Sequence, residues 1–293
     1  MPSSRIREDG IDILIDLSGP TTGGRLGVFA RKPAPVSAIW LGYSGTSGHD
    51  TVDYILGDAE VLPDGVTQSV EQPWRLPDAY LCFHPSEQPP VNGLPASSNS
   101  RVSFGSFNNL NKVSGATLDA WAAVLSAVPN SRLVLKAHQG SGQAGRTIID
   151  GLVGRGVAIE RITMLDWVDG WCEHLPLYGQ VDIGLDPFPY NGTTTTCESL
   201  LMGVPVVTLR GDRFIARVGA TLMHTAGLDD WIANNVADYV ELAVRKAQSI
   251  AALGELRQGL RQQFLSSPLC DTRRFAGNFE AALRGMWRRY CEA

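Results

Sequence analysis

Residues 186–201 read DPFPYNGTTTTCESLL. An apolar run ending at 185 empties into a loop bearing Pro187, Pro189, Asn191 and Gly192, and four threonines then open a helical pattern. In an open parallel sheet, ligands bind beyond the carboxyl ends of strands. A helix that starts there offers unpaired N–H groups and the positive end of its dipole, which suits a diphosphate. The hydroxyls of Thr193, Thr194 and Thr195 add donors, and any of them can cap the helix. Glu198, one turn in, is placed to accept hydrogen bonds from a ribose. The plainer alternative is an ordinary capped helix that tolerates four threonines.

A second chemically suggestive string is residues 104–113, FGSFNNLNKV. A strand runs into an asparagine-rich loop, with Lys112 just before a helix capped by Ser114. An ammonium there can neutralise charge building on a departing diphosphate, and Asn109 can read a base or a phosphate. A solvated lysine beside a polar turn is the competing reading. His174 lies on a short helical stretch near Trp167 and Trp171, where an imidazole can meet a phosphate or a base or serve only as a packed surface residue. His49, His84, His138 and His224 have no ligand-like spacing, so no metal site is expected. Two glycine-bearing loops, residues 18–24 (SGPTTGG) and 42–48 (GYSGTSG), let backbone approach a ligand, with Gly19, Thr21, Gly45 and Thr46 as the candidate contacts. Neither is a dinucleotide fingerprint or a P-loop, and each taken alone describes a turn. No nucleophile elbow or Ser-His-Asp set supports a hydrolase.

The elements that must hold these residues alternate. Apolar runs at 11–17 and 36–43 read as buried strands running into glycine loops. A Pro-, Ser- and Asn-rich stretch at 85–100 reads as a surface linker, so one domain is expected over 1–95 and a second over 100–270. In the second, strands at 102–107, 132–136, 162–165, 181–185 and 204–209 alternate with helical patterns, which implies parallel pairing with right-handed crossovers. Residues 271–293 form a final helix whose Phe275, Phe279, Leu283 and Trp287 make one apolar stripe for packing back on a domain. The fold class is therefore α/β with two Rossmann-like doubly wound domains. The first holds too few strands to be complete, so a larger parent domain is expected.

Composition narrows the functions. Of the 293 residues 44% are hydrophobic and 19% charged, the balance of a folded protein. A net charge of −5 without a long Lys/Arg run provides no footprint for nucleic acid. The N-terminus lacks an apolar signal segment and no run approaches a membrane span, so a cytoplasmic location and no membrane partner are expected. Five scattered cysteines with no C-x-x-C pair suit a reducing compartment.

The strings FGSFNNLNKV, HLPLYGQVDIGLDPFPYNGTTTTCESLLMGVPVVTL, WLGYSGTSG and SSPLCDTRRF together resemble the catalytic region of the O-linked N-acetylglucosamine transferases, bacterial branch, over nearly the whole chain. The resemblance implies the GT-B architecture of two Rossmann-like domains. It implies a metal-independent, inverting transfer of a sugar, N-acetylglucosamine, from a UDP donor to Ser or Thr hydroxyls of a protein, with no cofactor. Under it Lys112 stabilises the leaving diphosphate and Asn109 lies near the nucleotide. His174 contacts the uridine part, Thr193, Thr194 and Thr195 contact the diphosphate, and Glu198 binds the ribose. The chain departs from the family in lacking tetratricopeptide repeats and the earlier strands of the first catalytic domain. It also has Pro20 where bacterial relatives often have histidine. Two other functions compete. One is a UDP-binding module without turnover, or transfer of another hexose; the other is a sugar-nucleotide epimerase, for which no convincing acid/base carboxylate pair is found.

Overall fold

The computed structural model describes residues 2–137 and 142–293, so His138 lies outside the described residues. The chain forms two units. One comprises residues up to Cys82 with Arg213–Ile215 and Asp271–Ala293; the other comprises Phe83–Asp212 and Ala216–Cys270. Among the described residues no helix is long and apolar enough to cross a membrane.

In the first unit four short strands, β1 (Ile13–Asp16), β2 (Val36–Ile39), β3 (Tyr54–Gly57) and β4 (Gln72–Arg75), pair in sequence order and all in parallel. The long helix Thr272–Glu292 belongs to this unit. Its stripe of Phe275, Phe279, Leu283 and Trp287 packs on a core of Val36, Ala38, Tyr54, Leu56 and Leu76. Trp40 meets Phe279 at a tilt, with ring centroids 4.5 Å apart, and Arg274 binds both carboxyl oxygens of Asp78 at 2.7 and 2.6 Å. The apolar spacing in the sequence specifies that stripe, and the pairing explains why it is covered.

The second unit carries six parallel strands: β5 (Val102–Ser106), β6 (Ser131–Lys136), β7 (Ile162–Leu165), β8 (Ile183–Leu185), β9 (Val206–Leu209) and β10 (Ile232–Ala233). Their order is β10-β9-β8-β5-β6-β7. The chain winds outward from β5 to β7, returns to place β8 on the other side of β5, and winds outward again. This is the doubly wound Rossmann order, and its topological switch point lies between β5 and β8. In such a sheet the segments that follow those two strands cross to opposite faces, and ligands bind beyond the carboxyl ends of the strands. Between the strands β5 and β6 runs the helix Gly115–Ala127, which buries Trp121, Val124 and Leu125 completely. The Trp121 indole N–H donates to the Tyr239 hydroxyl at 3.2 Å, and that hydroxyl donates to the Asp186 carbonyl at 3.0 Å. The core thus fixes the end of β8.

The Pro- and Ser-rich stretch at 85–100 differs from the linker its composition predicts. Asn92 donates to the Gly179 carbonyl at 2.8 Å and accepts from the Arg257 guanidinium at 2.8 Å, and the Ala96 N–H donates to Asp182 at 2.9 Å. These bonds fix the stretch to the second unit, and the chain passes between units at Cys82–Phe83 instead. Composition describes how such a segment is solvated; partners more than 80 residues away in sequence decide whether it is held.

Candidate active site

The loops after β5 and β8 face each other across the switch point and are tied by specific bonds. Ser114, which caps the helix Gly115–Ala127 by accepting the Thr117 N–H at 3.1 Å, donates its hydroxyl to the Phe188 carbonyl at 2.6 Å, and the Thr117 hydroxyl donates there too at 2.6 Å. Val113 and Pro189 make an antiparallel bridge. Within this frame the Lys112 amine donates to the Asn191 carbonyl at 2.8 Å and lies 4.2 Å from the centre of the Tyr190 ring. Asn191 is two residues ahead of Thr193, the residue that precedes the helix Thr194–Leu201. The cation of one loop is therefore bonded to the segment that leads into the helix of the other.

Asp186 is the anchor of the second loop. Fully buried at the end of β8, it accepts from the Gly192 N–H at 2.7 Å and from the Thr208 hydroxyl at 2.7 Å. Burial raises its carboxyl pKa to about 7 against these two bonds and the nearby Lys112. Burial in turn lowers the Lys112 ammonium, with Asp186 opposing. Each group thus has the other as partial compensation for leaving water. Gly192 has no room for a side chain: a Cβ there would fall 2.6 Å from Thr196 Oγ1 and 2.8 Å from both Asn108 Oδ1 and Thr195 Oγ1.

The helix Thr194–Leu201 opens without a side-chain cap; Thr193 adopts φ −121° and its side chain makes no capping bond. The Thr193 carbonyl accepts from the Thr196 and Cys197 N–H groups, so the amides of Thr194 and Thr195, at the first turn, have no acceptor within the helix. Thr194 is exposed and Thr193 and Thr195 are half-buried, with the Thr195 hydroxyl donating to Asn108 at 2.8 Å. One turn on, Glu198 is 4% exposed. Its carboxyl group meets His174 Nε2 at 3.0 Å and the Tyr178 hydroxyl at 3.3 Å. Burial and Glu198 push the Tyr178 phenol pKa well up, so Tyr178 remains a donor. His174 Nδ1 is buried and has no partner among the described residues.

Beside this helix is a cavity of about 260 Å³, lined by Phe107, Lys136, Trp167, Trp171, His174 and Glu198, with Thr194 and Thr195 at its border. It offers aromatic walls, a carboxyl group and an amine next to the helix opening. Among the described residues no group of three His, Cys, Asp or Glu side chains can hold a metal ion.

Of the residues predicted from sequence, Lys112 is bonded to the loop that leads into Thr193, Thr194 and Thr195, and His174 and Glu198 join each other in the cavity that Thr194 and Thr195 border. Asn109 is exposed and its side chain accepts from the Asn111 N–H at 3.0 Å, capping its own turn; buried Asn108 is the asparagine that meets the threonine helix. Consecutive asparagines look alike in sequence, and the turn after β5, in which Asn109 caps the short helix Leu110–Lys112, decides which one faces the threonine helix. Asp186, Lys136, Trp167 and Tyr178 are further site residues that spacing did not single out. Asp186 and Lys136 both stand where a strand ends, and that position was the available signal.

In the first unit the two glycine loops follow β1 and β2 and close around Tyr43. Gly19 has φ +57°, donates its N–H to Asp16 at 2.7 Å, and a Cβ on it would fall 2.6 Å from Tyr43 Cβ. A Cβ on Gly45 would fall 3.0 Å from the Tyr43 ring. Both threonine hydroxyls are engaged within the unit: Thr21 donates to the Ser18 carbonyl at 2.7 Å, and Thr46 to buried Glu71 at 2.8 Å.

Comparison with known proteins places the chain in a family. The model of glycosyl transferase family 41 matches residues 2–81 and 92–279. A probable UDP-N-acetylglucosamine–peptide N-acetylglucosaminyltransferase SPINDLY of Petunia hybrida is 44% identical over 99% of this chain, which spans 31% of that protein. The corresponding SEC protein of Arabidopsis thaliana is 32% identical over 98% of the chain, again 30% of the relative. The structure of an O-GlcNAc transferase mutant from Thermobaculum terrenum superimposes with a TM-score of 0.91 at 35% identity, over 99% of this chain and 56% of that one. The chain thus spans about a third of the curated relatives it matches, and its α/β, GT-B-type fold is that of the Thermobaculum protein. A UDP-forming trehalose-phosphate synthase from Burkholderia xenovorans, at TM-score 0.54 and 15% identity, shares the fold alone. On the extent of the family match and the identity to these relatives, the chain belongs to glycosyl transferase family 41.

Proposed function

We propose that the second unit binds the nucleoside diphosphate of a sugar donor and that the protein transfers the sugar to a Ser or Thr hydroxyl of a protein acceptor. The donor named for the relatives, UDP-N-acetylglucosamine, is the one assigned. One observation carries the reading: the Lys112 amine is bonded to Asn191, two residues ahead of the uncapped opening of the Thr194–Leu201 helix, and that opening borders an aromatic cavity containing Glu198. The pyrophosphate then lies on the amides and hydroxyls of Thr193, Thr194 and Thr195, the ribose meets Glu198, and the base enters between Trp167 and His174. Glu198 is oriented for this by Tyr178 and His174.

As the glycosidic bond breaks, negative charge grows on the leaving diphosphate. Lys112 and the helix dipole are preorganised for that charge and supply the stabilisation that a bound metal supplies elsewhere, so the reaction is assigned as metal-independent. Inversion at the anomeric carbon is assigned from the resemblance to the O-GlcNAc transferases. Titration calorimetry with UDP, run beside a transfer assay with a protein acceptor and UDP-N-acetylglucosamine in excess EDTA, tests the reading: heat and EDTA-insensitive product support it, no UDP binding ends the assignment of a uridine donor, and no binding of any nucleoside diphosphate ends the reading itself. Because the chain spans about a third of its curated relatives, a UDP-binding module without turnover is the second reading, and binding without product is its outcome.

Gly192→Ala should weaken UDP binding about tenfold, roughly 1.4 kcal/mol, because the added methyl group pushes Thr195 and Asn108 out of position. Calorimetry on a variant whose circular dichroism is unchanged checks this. Unaltered affinity would show that the loop's closure is irrelevant to the ligand.

A further inference from the structure

Lys136 ends β6 at the carboxyl edge of the second sheet, one strand out from the switch point. It is 3% exposed, yet it lines the aromatic cavity, with its amine 4.5 Å from the centre of the Trp167 ring. Burying a lysine without a partner is costly, and burial does lower its ammonium pKa, with Glu198 opposing. Among the described residues its amine has no hydrogen-bond acceptor and no ion pair; the nearby carboxyl of Glu198 is engaged by His174 and Tyr178. A buried amine with no acceptor, held against the ring-lined cavity, is a group waiting for a ligand atom.

An ammonium has donors and no acceptor, so the atom it meets must be an acceptor. The walls of the cavity, Phe107, Trp167, Trp171 and His174, suit a flat ring whose faces stack and whose edge is read. Bases differ at that edge. Uracil and guanine carry a carbonyl oxygen where cytosine and adenine carry an exocyclic amino group, and an amino group turned toward an ammonium sets donor against donor.

We propose that Lys136 selects the base of the sugar nucleotide, admitting a keto base and rejecting an amino base. This rests on the nucleoside-diphosphate reading of the same site and adds the residue and the chemical feature it reads. Lys136 acts on binding alone and takes no part in bond breaking.

UDP and CDP differ at ring position 4, carbonyl oxygen against amino group, and at the adjacent N3, N–H against a lone pair, so titrating the unaltered protein with UDP, GDP, CDP and ADP tests the selection without any variant. UDP, GDP or both should bind at least tenfold more tightly than CDP and ADP. In Lys136→Met, which keeps the stem and removes the amine, the keto nucleotides should lose about tenfold while CDP and ADP stay within twofold, closing the gap; Lys136→Arg, which keeps a donor, should retain part of it. Inorganic pyrophosphate should bind the unaltered protein and Lys136→Met equally. Equal affinity of all four nucleotides for the unaltered protein would overturn the proposal, and so would a uniform loss in Lys136→Met that includes pyrophosphate. Either result leaves the nucleoside-diphosphate reading standing. That reading falls, and this one with it, only when none of the four nucleotides binds.

Discussion

Lys112→Ala is expected to lower turnover by about 10²- to 10³-fold while leaving UDP affinity within a few fold, the magnitude of removing one preorganised donor from a developing anion. The reason lies in what the amine does before and during reaction. It donates to the Asn191 carbonyl at 2.8 Å and faces Tyr190, so part of its charge is already satisfied. Ground-state binding of the diphosphate draws mainly on the helix amides and threonine hydroxyls. The charge that appears when the sugar leaves is new, and only a cation already in place can meet it without reorganisation. Loss should therefore fall on kcat, with KM little changed. Single-turnover measurement with UDP-N-acetylglucosamine, in the protein with whatever segments its activity requires, separates the two. A variant with near-normal kcat and raised KM would show that Lys112 binds the donor instead of driving its departure.

Asp186→Asn is expected to change the pH dependence of stability by up to about 4 kcal/mol. Burial raises the carboxyl in the folded protein to about 7, whereas the unfolded chain has the ordinary value of 3.8. From roughly pH 4 to pH 7 the folded protein then holds a proton that the unfolded chain has released. Stability contributed by this group therefore falls as pH rises through that window and levels off above it. The two values differ by about three pH units, and at 1.36 kcal/mol each this gives the figure above. Asparagine is neutral throughout, so relative to the unaltered protein the variant should gain stability between pH 4 and pH 8, whatever it loses at pH 4 from the altered bonds to Gly192 and Thr208. Urea unfolding at both pH values gives the comparison. Parallel curves for the two proteins would show that Asp186 titrates like an exposed aspartate.

Both effects depend on β5 and β8 being neighbours, and that adjacency separates what was legible in the sequence from what was not. Local features wrote themselves plainly: the alternation of apolar runs with helical patterns, the threonines at a helix start, the lysine after a strand, and the apolar stripe of the last helix. Each of these depends on periodicity or on residues within a turn of one another, and such short-range preferences survive without the rest of the fold. β3 and β4 were not legible. They are four residues each, and β4 carries Pro73, which a strand accommodates at a sheet edge.

The tertiary structure decided the rest. It set Asn108 inward and Asn109 outward, stapled the polar stretch at 85–100 to Asp182 and Arg257, and brought Lys136 to the wall of a cavity whose other side is supplied by residues 167–174 and 194–198. The residues of the site by themselves named a diphosphate chemistry. Whether they share a crevice depends on the order in which six strands pair, which is settled by burial and hydrogen bonding between segments tens of residues apart, where no local propensity acts.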